Sequence, residues 1–209
     1  PFGRGKYQIK EGVGKKKALN KKQLKAIANY SDGNKFTEFY RDLWLFIYFC
    51  NGINVADLIN LKFSDIQNGE ISFIREKTKD RTRDTKRIYA PITPEMQSII
   101  EKWGNNPRKS IYIFPFMKAG DDAWEHEKKK KNLTKHINDR MKVIGEKLNI
   151  GKITTYVARH TYATVLRNEG VPVSIISPML GHTSITTTEI YLADLESENR
   201  ARNASLLSF

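Results

Sequence analysis

The chain has 209 residues, enough for one large domain or two small ones, and a hydrophobic share of 39% excludes a disordered protein. Lysine and arginine outnumber aspartate and glutamate by 36 to 23, and the resulting formal net charge of +13 is typical of a domain that meets a polyanion. A surface charged only for solubility is the alternative explanation. The sequence shows neither a signal peptide nor a run near the roughly 20 apolar residues of a membrane span, so we expect a cytoplasmic protein without a membrane partner.

The cysteine count and the first residue narrow the class further. Cys50 is the one cysteine and lies in an apolar run, which excludes a disulfide framework and a thiol metal site. The chain begins with Pro1, which predicts a piece of a longer protein. Residues 1–17 are rich in glycine and lysine, as in a basic linker or arm. We therefore expect the folded part to begin near residue 18.

Helical periodicity dominates the chain. Asn20 is a favourable N-cap, and Phe36–Cys50 carries a wide apolar stripe that is typical of a buried helix. Gly52 is expected to cap that helix at its end, and residues 117–124 are expected to form a loop. Helices are predicted over Lys21–Tyr30, Phe36–Cys50, Val55–Leu61, Pro94–Trp103, Glu125–Leu148, a segment from a Thr154 or Thr155 cap to Asn168, Pro172–Leu180, and a last helix, capped by Ser184 or Thr186, that carries Tyr191.

The hydrophobic period changes to two in Glu70–Glu76 and Arg87–Ile92, which predicts two strands. The intervening Lys77–Lys86 is polar and mostly charged, so we expect a β-hairpin with a charged tip, which a third short strand can extend. The predicted fold class is therefore α+β, mostly helical with a small antiparallel sheet.

The densest group of reactive side chains lies between Tyr156 and Tyr191, in YVARHTYATVLRNEGVPVSIISPMLGHTSITTTEIY. ARHTYAT contains Arg159, LGH contains His182, and Tyr191 follows nine residues later. This combination resembles the C-terminal signature of the tyrosine recombinases, the phage integrase family. The resemblance is close over this stretch and looser over the rest of the chain from about residue 18.

The resemblance implies the catalytic fold of that family and its reaction. A tyrosine hydroxyl attacks a DNA phosphodiester, which forms a 3′-phosphotyrosyl bond and frees a 5′-hydroxyl, and a 5′-hydroxyl of a partner strand reverses the step. No metal, cofactor or small-molecule substrate takes part. We therefore expect an enzyme, a site-specific DNA recombinase that resembles the integrases of bacterial mobile elements.

Each matching residue has a chemical role that the resemblance implies. Tyr191 is the nucleophile, and a phenol with a pKa near ~10 needs help to attack at neutral pH. Arg159 is permanently charged and can neutralise two phosphate oxygens at once. His182 can donate to the same phosphate or transfer a proton. Lys77 matches the lysine that protonates the leaving 5′-oxygen, with Lys79 as the second choice.

Two positions depart from the family pattern. The family's first arginine ends the motif TGLR, whereas NGIN here ends in the uncharged Asn54, and Asp57 three residues later matches the family's acidic position. The family's HxxR motif begins here with Tyr156, which can form hydrogen bonds but is not a base near neutral pH. Loss of a cation from such a site typically costs a few kcal/mol of transition-state stabilisation. Candidates for a replacement cation near the predicted hairpin are Arg75, Lys79, Arg81 and Arg83.

The resemblance also predicts partners and a division of the chain. Residues 18–195 are expected to form the catalytic domain, which binds double-stranded DNA and works as a homotetramer. Residues 196–209 are expected to form a tail that docks in cis or in trans, since they end in apolar side chains. The family's separate N-terminal DNA-binding domain is expected to be missing, which would make binding weak. Such an enzyme acts in the bacterial cytoplasm, at the nucleoid.

Several alternatives stay open at this stage. The chain can be a catalytically impaired DNA-binding relative, a type IB topoisomerase-like enzyme that relaxes strands without exchange, or a basic helical scaffold that binds nucleic acid. Among single residues, Arg159 can be a buried ion-pair partner, His182 a helix cap and Tyr191 a core tyrosine. His160 is expected to be a structural hydrogen-bonding residue.

Overall fold

The computed structural model describes residues 17–76 and 86–193, and at Tyr191 and Ala193 the backbone alone. A small three-stranded sheet lies between two runs of helices in this part of the chain, and the prediction of a mostly helical α+β fold is confirmed. In order, the elements are α1 (Lys21–Ala28), α2 (Lys35–Phe49), α3 (Val55–Leu58), a 3₁₀ turn (Phe63–Asp65), β1 (Ile66–Gln67), β2 (Glu70–Ile74), β3 (Arg87–Pro91), α4 (Pro94–Trp103), α5 (Ala123–Lys147), α6 (Thr155–Asn168), α7 (Val173–Met179) and α8 (Ile185–Ala193).

Helix α2 is the centre of the main core and packs against α4, α5 and α6. Its wide apolar stripe is buried, as the sequence predicts, with Trp44 and Phe46 fully inaccessible. The Trp44 indole donates a hydrogen bond to the Thr154 carbonyl at 2.8 Å, and Phe46 packs edge-on against Phe114. Each large side chain buried in this way contributes roughly 1.5–3 kcal/mol. The Trp44 hydrogen bond fixes the start of α6, the helix that carries Arg159.

The sheet is antiparallel in the order β1-β2-β3. Ile71 faces Ala90 and Phe73 faces Ile88 across β2 and β3, and all four side chains are buried. The two strands that the period of two predicts are confirmed, and β1 is the third short strand. Strand β2 ends at Ile74, before the predicted end at Glu76. Arg75 therefore lies outside the strand pairing, and its side chain contacts the turn at Gly181.

Among the predicted helix boundaries that were wrong, three have a clear structural reason. Helix α5 begins at Ala123, inside the predicted loop, because the Asp122 side chain accepts a hydrogen bond from the Glu125 amide at 2.8 Å and caps the helix there. Helix α3 ends at Leu58, because the next residues pair with residues 111–113, with the Leu61 carbonyl accepting from the Ile113 amide at 2.8 Å. Helix α2 is capped at Cys50 and not at Gly52.

A second, smaller core holds the C-terminal helices on α6. Ala163 of α6, Ile176 and Leu180 of the α7 segment and Leu192 of α8 are all buried together. Because α7 and α8 both pack here, the turn between them lies against α6. That turn contains Gly181 and His182.

Several predictions concern residues outside the described part of the chain. These are the basic arm up to residue 16, the hairpin tip with Lys77, Lys79, Arg81 and Arg83, and the tail over residues 196–209. Within residues 17–76 and 86–193, the helices are all too short or too polar to cross a bilayer.

Candidate active site

Arg159 lies on α6 with only 5% of its surface exposed. Its guanidinium donates to the Gly52 carbonyl at 2.8 Å and to the Leu180 carbonyl. The chain can approach this closely because Gly52 has no side chain: a Cβ there would lie 2.8 Å from both Cα and Cγ of Arg159. Two backbone carbonyls from distant parts of the chain therefore fix the direction of a buried cation. With five N–H donors, the guanidinium can keep both contacts and still bind an anion.

His182 lies in the turn that follows α7 and contacts Arg159 directly, with 3.2 Å between its Nε2 and Nη2 of Arg159. Its Nδ1 lies 2.8 Å from Oγ1 of Thr188, a fully buried hydroxyl on α8. Arginine can only donate, so Nε2 accepts, and this assigns the ring proton to Nδ1, which donates to Thr188. The side chain therefore contacts two polar groups of the site, which a role as a helix cap alone would not require.

Burial lowers the pKa of His182 to about 4, with the nearby positive charges of Arg159 and Arg75 acting in the same direction. The imidazole is therefore neutral at physiological pH. A neutral ring whose Nε2 is an acceptor suits proton acceptance better than neutralisation of a phosphate.

Asn54 precedes α3, where its side chain does not cap the helix. Its amide lies 3.5 Å from Oδ2 of Asp57, a buried carboxyl with 6% of its surface exposed. The other oxygen of Asp57 accepts from the Glu76 amide at 2.7 Å. Burial raises the pKa of Asp57, while the Glu76 amide and the cations Arg75 and Arg159 oppose that rise. The carboxyl thus connects the Asn54 segment to the end of β2.

Arg75 follows β2 and donates from Nη1 to the Gly181 carbonyl at 2.9 Å. Gly181 has φ of +64°, and a Cβ there would lie 2.5 Å from Cδ of Arg75. The carbonyls of Leu180 and Gly181 are consecutive, so Arg159 and Arg75 bind neighbouring peptide groups of the turn that leads into His182. Contacts among segments 52–57, 75–76, 159 and 180–182 thus form a closed circuit around one site.

Tyr156 lies one turn before Arg159 on α6 and is 53% exposed. Its ring packs edge-on against His160, with 4.5 Å between the ring centroids. His160 is buried, with 1% of its surface exposed, which agrees with a structural role.

Two of the predicted site residues have side chains outside the described part. Tyr191 lies on α8, which begins three residues after His182, and only its backbone is described. Lys77 follows Glu76, whose amide is bound by Asp57, and is itself outside the described residues. The structure therefore brings Arg159, His182 and the Asn54–Asp57 segment together and locates the helix that carries Tyr191.

Thr188, Gly52 and Leu180 also contribute to the site, although the sequence motifs do not identify them. Thr188 falls in the hydroxyl-rich run after His182, and a buried position on the predicted last helix is the signal that could have identified it. Gly52 and Leu180 act through backbone carbonyls, which side-chain identity does not reveal.

Comparisons with known proteins agree with this geometry. The model of the phage integrase family matches residues 17–198. The tyrosine recombinase XerA of Pyrococcus furiosus is 28% identical over 177 residues, which are 84% of this chain and 56% of that protein. The tyrosine recombinase XerC of Chlamydia caviae is 26% identical over 172 residues, covering 81% of this chain and 52% of that protein. The chain thus spans about half the length of these relatives.

Solved structures share the fold. XerH site-specific recombinase, bound to a palindromic difH substrate after cleavage, superposes with a TM-score of 0.65 at 16% identity, covering 96% of this chain and 56% of that one. The Tn1549 transposon integrase, in complex with transposon right end DNA, gives a TM-score of 0.58 at 14% identity, covering 92% and 68%. The predicted fold of a tyrosine recombinase catalytic domain is thereby confirmed, and with a family match over most of its length, the chain belongs to the phage integrase family.

Proposed function

We propose that the protein cleaves and rejoins DNA strands through a 3′-phosphotyrosyl bond to Tyr191, as a site-specific recombinase. The observation that carries this proposal is the contact between Arg159 and His182 in the turn that leads directly into the helix bearing Tyr191. Relatives that bear the name tyrosine recombinase, and neighbours solved with recombination-site or transposon DNA, support it.

In the cleavage step, the Tyr191 oxygen forms a bond to phosphorus and the bond from phosphorus to the 5′-oxygen breaks. The phenol proton leaves the nucleophile, and neutral His182 accepts it at Nε2 once the Arg159 N–H that this nitrogen binds turns to the phosphate. Arg159 stabilises the negative charge that builds on the non-bridging oxygens. Lys77 donates a proton to the departing 5′-oxygen. Rejoining runs the same steps backwards, so the bond energy is conserved and no nucleotide is consumed.

Asn54 and Tyr156 complete the proposed site with weaker roles. Each can donate a hydrogen bond to the phosphate without neutralising its charge. Tyr156 is half exposed and therefore accessible to DNA, whereas the Asn54 amide is shared with Asp57.

The proposed substrate is double-stranded DNA, and charge supports it. The net charge of +13 favours association with phosphates through counterion release. Helix α5 adds the run Lys128–Lys131, and the Lys128 ammonium lies over the ring of Trp124, which is 65% exposed at the start of that helix. An exposed aromatic side chain beside lysines is suited to contact with nucleic acid. Action on bacterial DNA would take place in the cytoplasm, at the nucleoid.

We also propose the division of the chain and the assembly that the family resemblance implies. Residues 18–195 form the catalytic domain, and residues 196–209 form a docking tail that joins four copies on two DNA duplexes. The family match over residues 17–198 supports a catalytic domain of about this extent. The role of the tail rests on the family resemblance alone.

A covalent-adduct assay tests the proposed function. The protein is incubated with a pool of nicked duplexes of randomised sequence, in which a short fragment with a 5′-hydroxyl diffuses away after cleavage and traps the adduct. We expect a protein–DNA adduct on a denaturing gel for the wild type and for Tyr112→Phe, and none for Tyr191→Phe. Absence of the wild-type adduct despite DNA binding would overturn the proposal in favour of an impaired relative. Relaxation of supercoiled DNA without joining would favour the topoisomerase-like alternative.

A further inference from the structure

The proposed site lacks one positive charge at the position where its family has an arginine. Asn54 is uncharged, and its amide lies beside Asp57 at 3.5 Å. His182 is neutral, because burial and nearby cations lower its pKa to about 4. Among the side chains of the described part of the site, Arg159 is therefore the one cation to which the family motif gives a phosphate-binding role. A phosphoryl transition state carries negative charge on several oxygens, which a second cation would stabilise.

Arg75 is a second cation at the same turn as Arg159. Its guanidinium donates to the Gly181 carbonyl at 2.9 Å, one peptide group away from the Leu180 carbonyl that Arg159 binds. Both guanidinium groups therefore flank the turn leading into His182. The positive charge of Arg75 also reaches Asp57 and His182: it opposes the rise in pKa that burial causes at Asp57, and it contributes to the lowered pKa of His182.

The backbone around Arg75 is tied to the segment of the missing arginine. Asp57, three residues after Asn54, accepts a hydrogen bond at 2.7 Å from the amide of Glu76, the residue after Arg75. By binding the Glu76 amide through one oxygen and lying beside the Asn54 amide through the other, the buried carboxyl holds the backbone next to Arg75 close to the Asn54 segment. Gly181 admits the side chain, since a Cβ there would lie 2.5 Å from Cδ of Arg75.

We propose that Arg75 is a catalytic residue that replaces the missing arginine: its guanidinium, anchored on the Gly181 carbonyl, contacts a non-bridging oxygen of the scissile phosphate. This inference rests on the proposed function. The bonds that form and break are unchanged, and no proton moves to or from Arg75. The permanently charged guanidinium stabilises the negative charge on the phosphate as the tyrosine oxygen attacks.

Arg87 provides a matched control in the same sheet. It lies on β3 opposite Ile74, and its guanidinium contacts the Ser72 carbonyl and hydroxyl at 3.2 Å. Arg75→Gln and Arg87→Gln remove the same charge from neighbouring positions, so their difference isolates the contact with the turn at Gly181.

The test measures the rate of adduct formation on a DNA site recovered from the adduct pool, with either a phosphate or an uncharged methylphosphonate at the scissile position. On the phosphate, we expect Arg75→Gln to be about 10²–10³-fold slower than the wild type, the usual loss for one transition-state donor. Arg87→Gln should stay near the wild-type rate. On the methylphosphonate, the deficit of Arg75→Gln should shrink below about tenfold, because there is less charge to neutralise. Adding Asn54→Arg to Arg75→Gln should restore most of the rate on phosphate.

The outcomes distinguish failure of this inference from failure of the proposed function. An Arg75→Gln rate equal to that of the wild type overturns this inference alone, since the wild-type adduct itself supports the proposed function. An equal loss on both substrates, without rescue by Asn54→Arg, also overturns it and assigns Arg75 a purely structural role. A wild type that forms no adduct overturns the proposed function and this inference together.

Discussion

Substitution of Gly52 by alanine tests how Arg159 is held. Gly52 has φ of +63°, so an alanine there adopts a left-handed conformation at a cost of roughly 1–2 kcal/mol. Its Cβ would also lie 2.8 Å from Cα and Cγ of Arg159, well inside the ordinary carbon–carbon contact of about 3.5–4.0 Å. Overpacking of this kind costs about 1–3 kcal/mol more. We expect a total loss of unfolding free energy of roughly 2–5 kcal/mol.

Gly33→Ala is the control that separates these two effects. Gly33 has φ of +75°, and an added Cβ there would meet no described atom within 4 Å. It should lose only the conformational part, roughly 1–2 kcal/mol, in urea unfolding at equilibrium. Gly52→Ala should also form the DNA adduct much more slowly, because Arg159 is displaced, whereas Gly33→Ala should retain the wild-type rate. Equal losses of stability and full adduct formation by both variants would refute the reasoning.

Three further outcomes are expected. Burial, with help from Arg159 and Arg75, lowers the pKa of His182 from 6.5 to about 4, so between these pH values the unfolded chain binds a proton that the native state does not. As the pH is lowered from 6.5 to 4, urea titrations should show the stability of the wild type falling more steeply than that of His182→Gln. Parallel curves would contradict the lowered pKa. Thr188→Val removes the hydroxyl that accepts the His182 Nδ1 proton, so it should lower the unfolding free energy by about 1–3 kcal/mol and slow adduct formation, whereas Thr188→Ser should retain both. Unchanged stability and adduct rate in Thr188→Val would contradict a role for this hydrogen bond. Asp42→Ala should lower the unfolding free energy by about 3–5 kcal/mol in urea, since the buried carboxylate binds Arg41 and the Trp103 indole. Lys102→Met removes the half-exposed partner of the same carboxylate and should lower it by under about 1 kcal/mol. Similar losses in the two variants would refute this difference.

Local signals account for the elements that the sequence predicts well. Asn20, Thr93 and Thr154 each accept a hydrogen bond from the third residue of the helix that follows, so cap and helix are encoded within four residues. The apolar stripe of α2 likewise predicts, from local sequence alone, that this helix is buried. The early end of α3 has no such local signal, because it depends on pairing between residues 61–63 and 111–113, which are far apart in the chain.

The same division applies to the candidate site. Arg159, His182 and Tyr191 stand in a recognisable spacing and can be predicted from the sequence. The contacts of Arg159 with the Gly52 and Leu180 carbonyls span 107 and 21 residues, and they use backbone atoms that every residue possesses. The position of Arg75 depends on where β2 ends, a boundary that its alternating pattern extends by two residues too many. Long-range backbone contacts of this kind are visible only in the folded chain.

The attachment point of the DNA tests the central claim most directly. After nuclease and trypsin digestion of the wild-type adduct, mass spectrometry measures which peptide carries the added nucleotide. The tryptic peptide over residues 168–200 has Tyr191 as its one tyrosine. We expect the nucleotide to be joined through its 3′-phosphate to Tyr191 in that peptide. Attachment to any other residue would contradict the account.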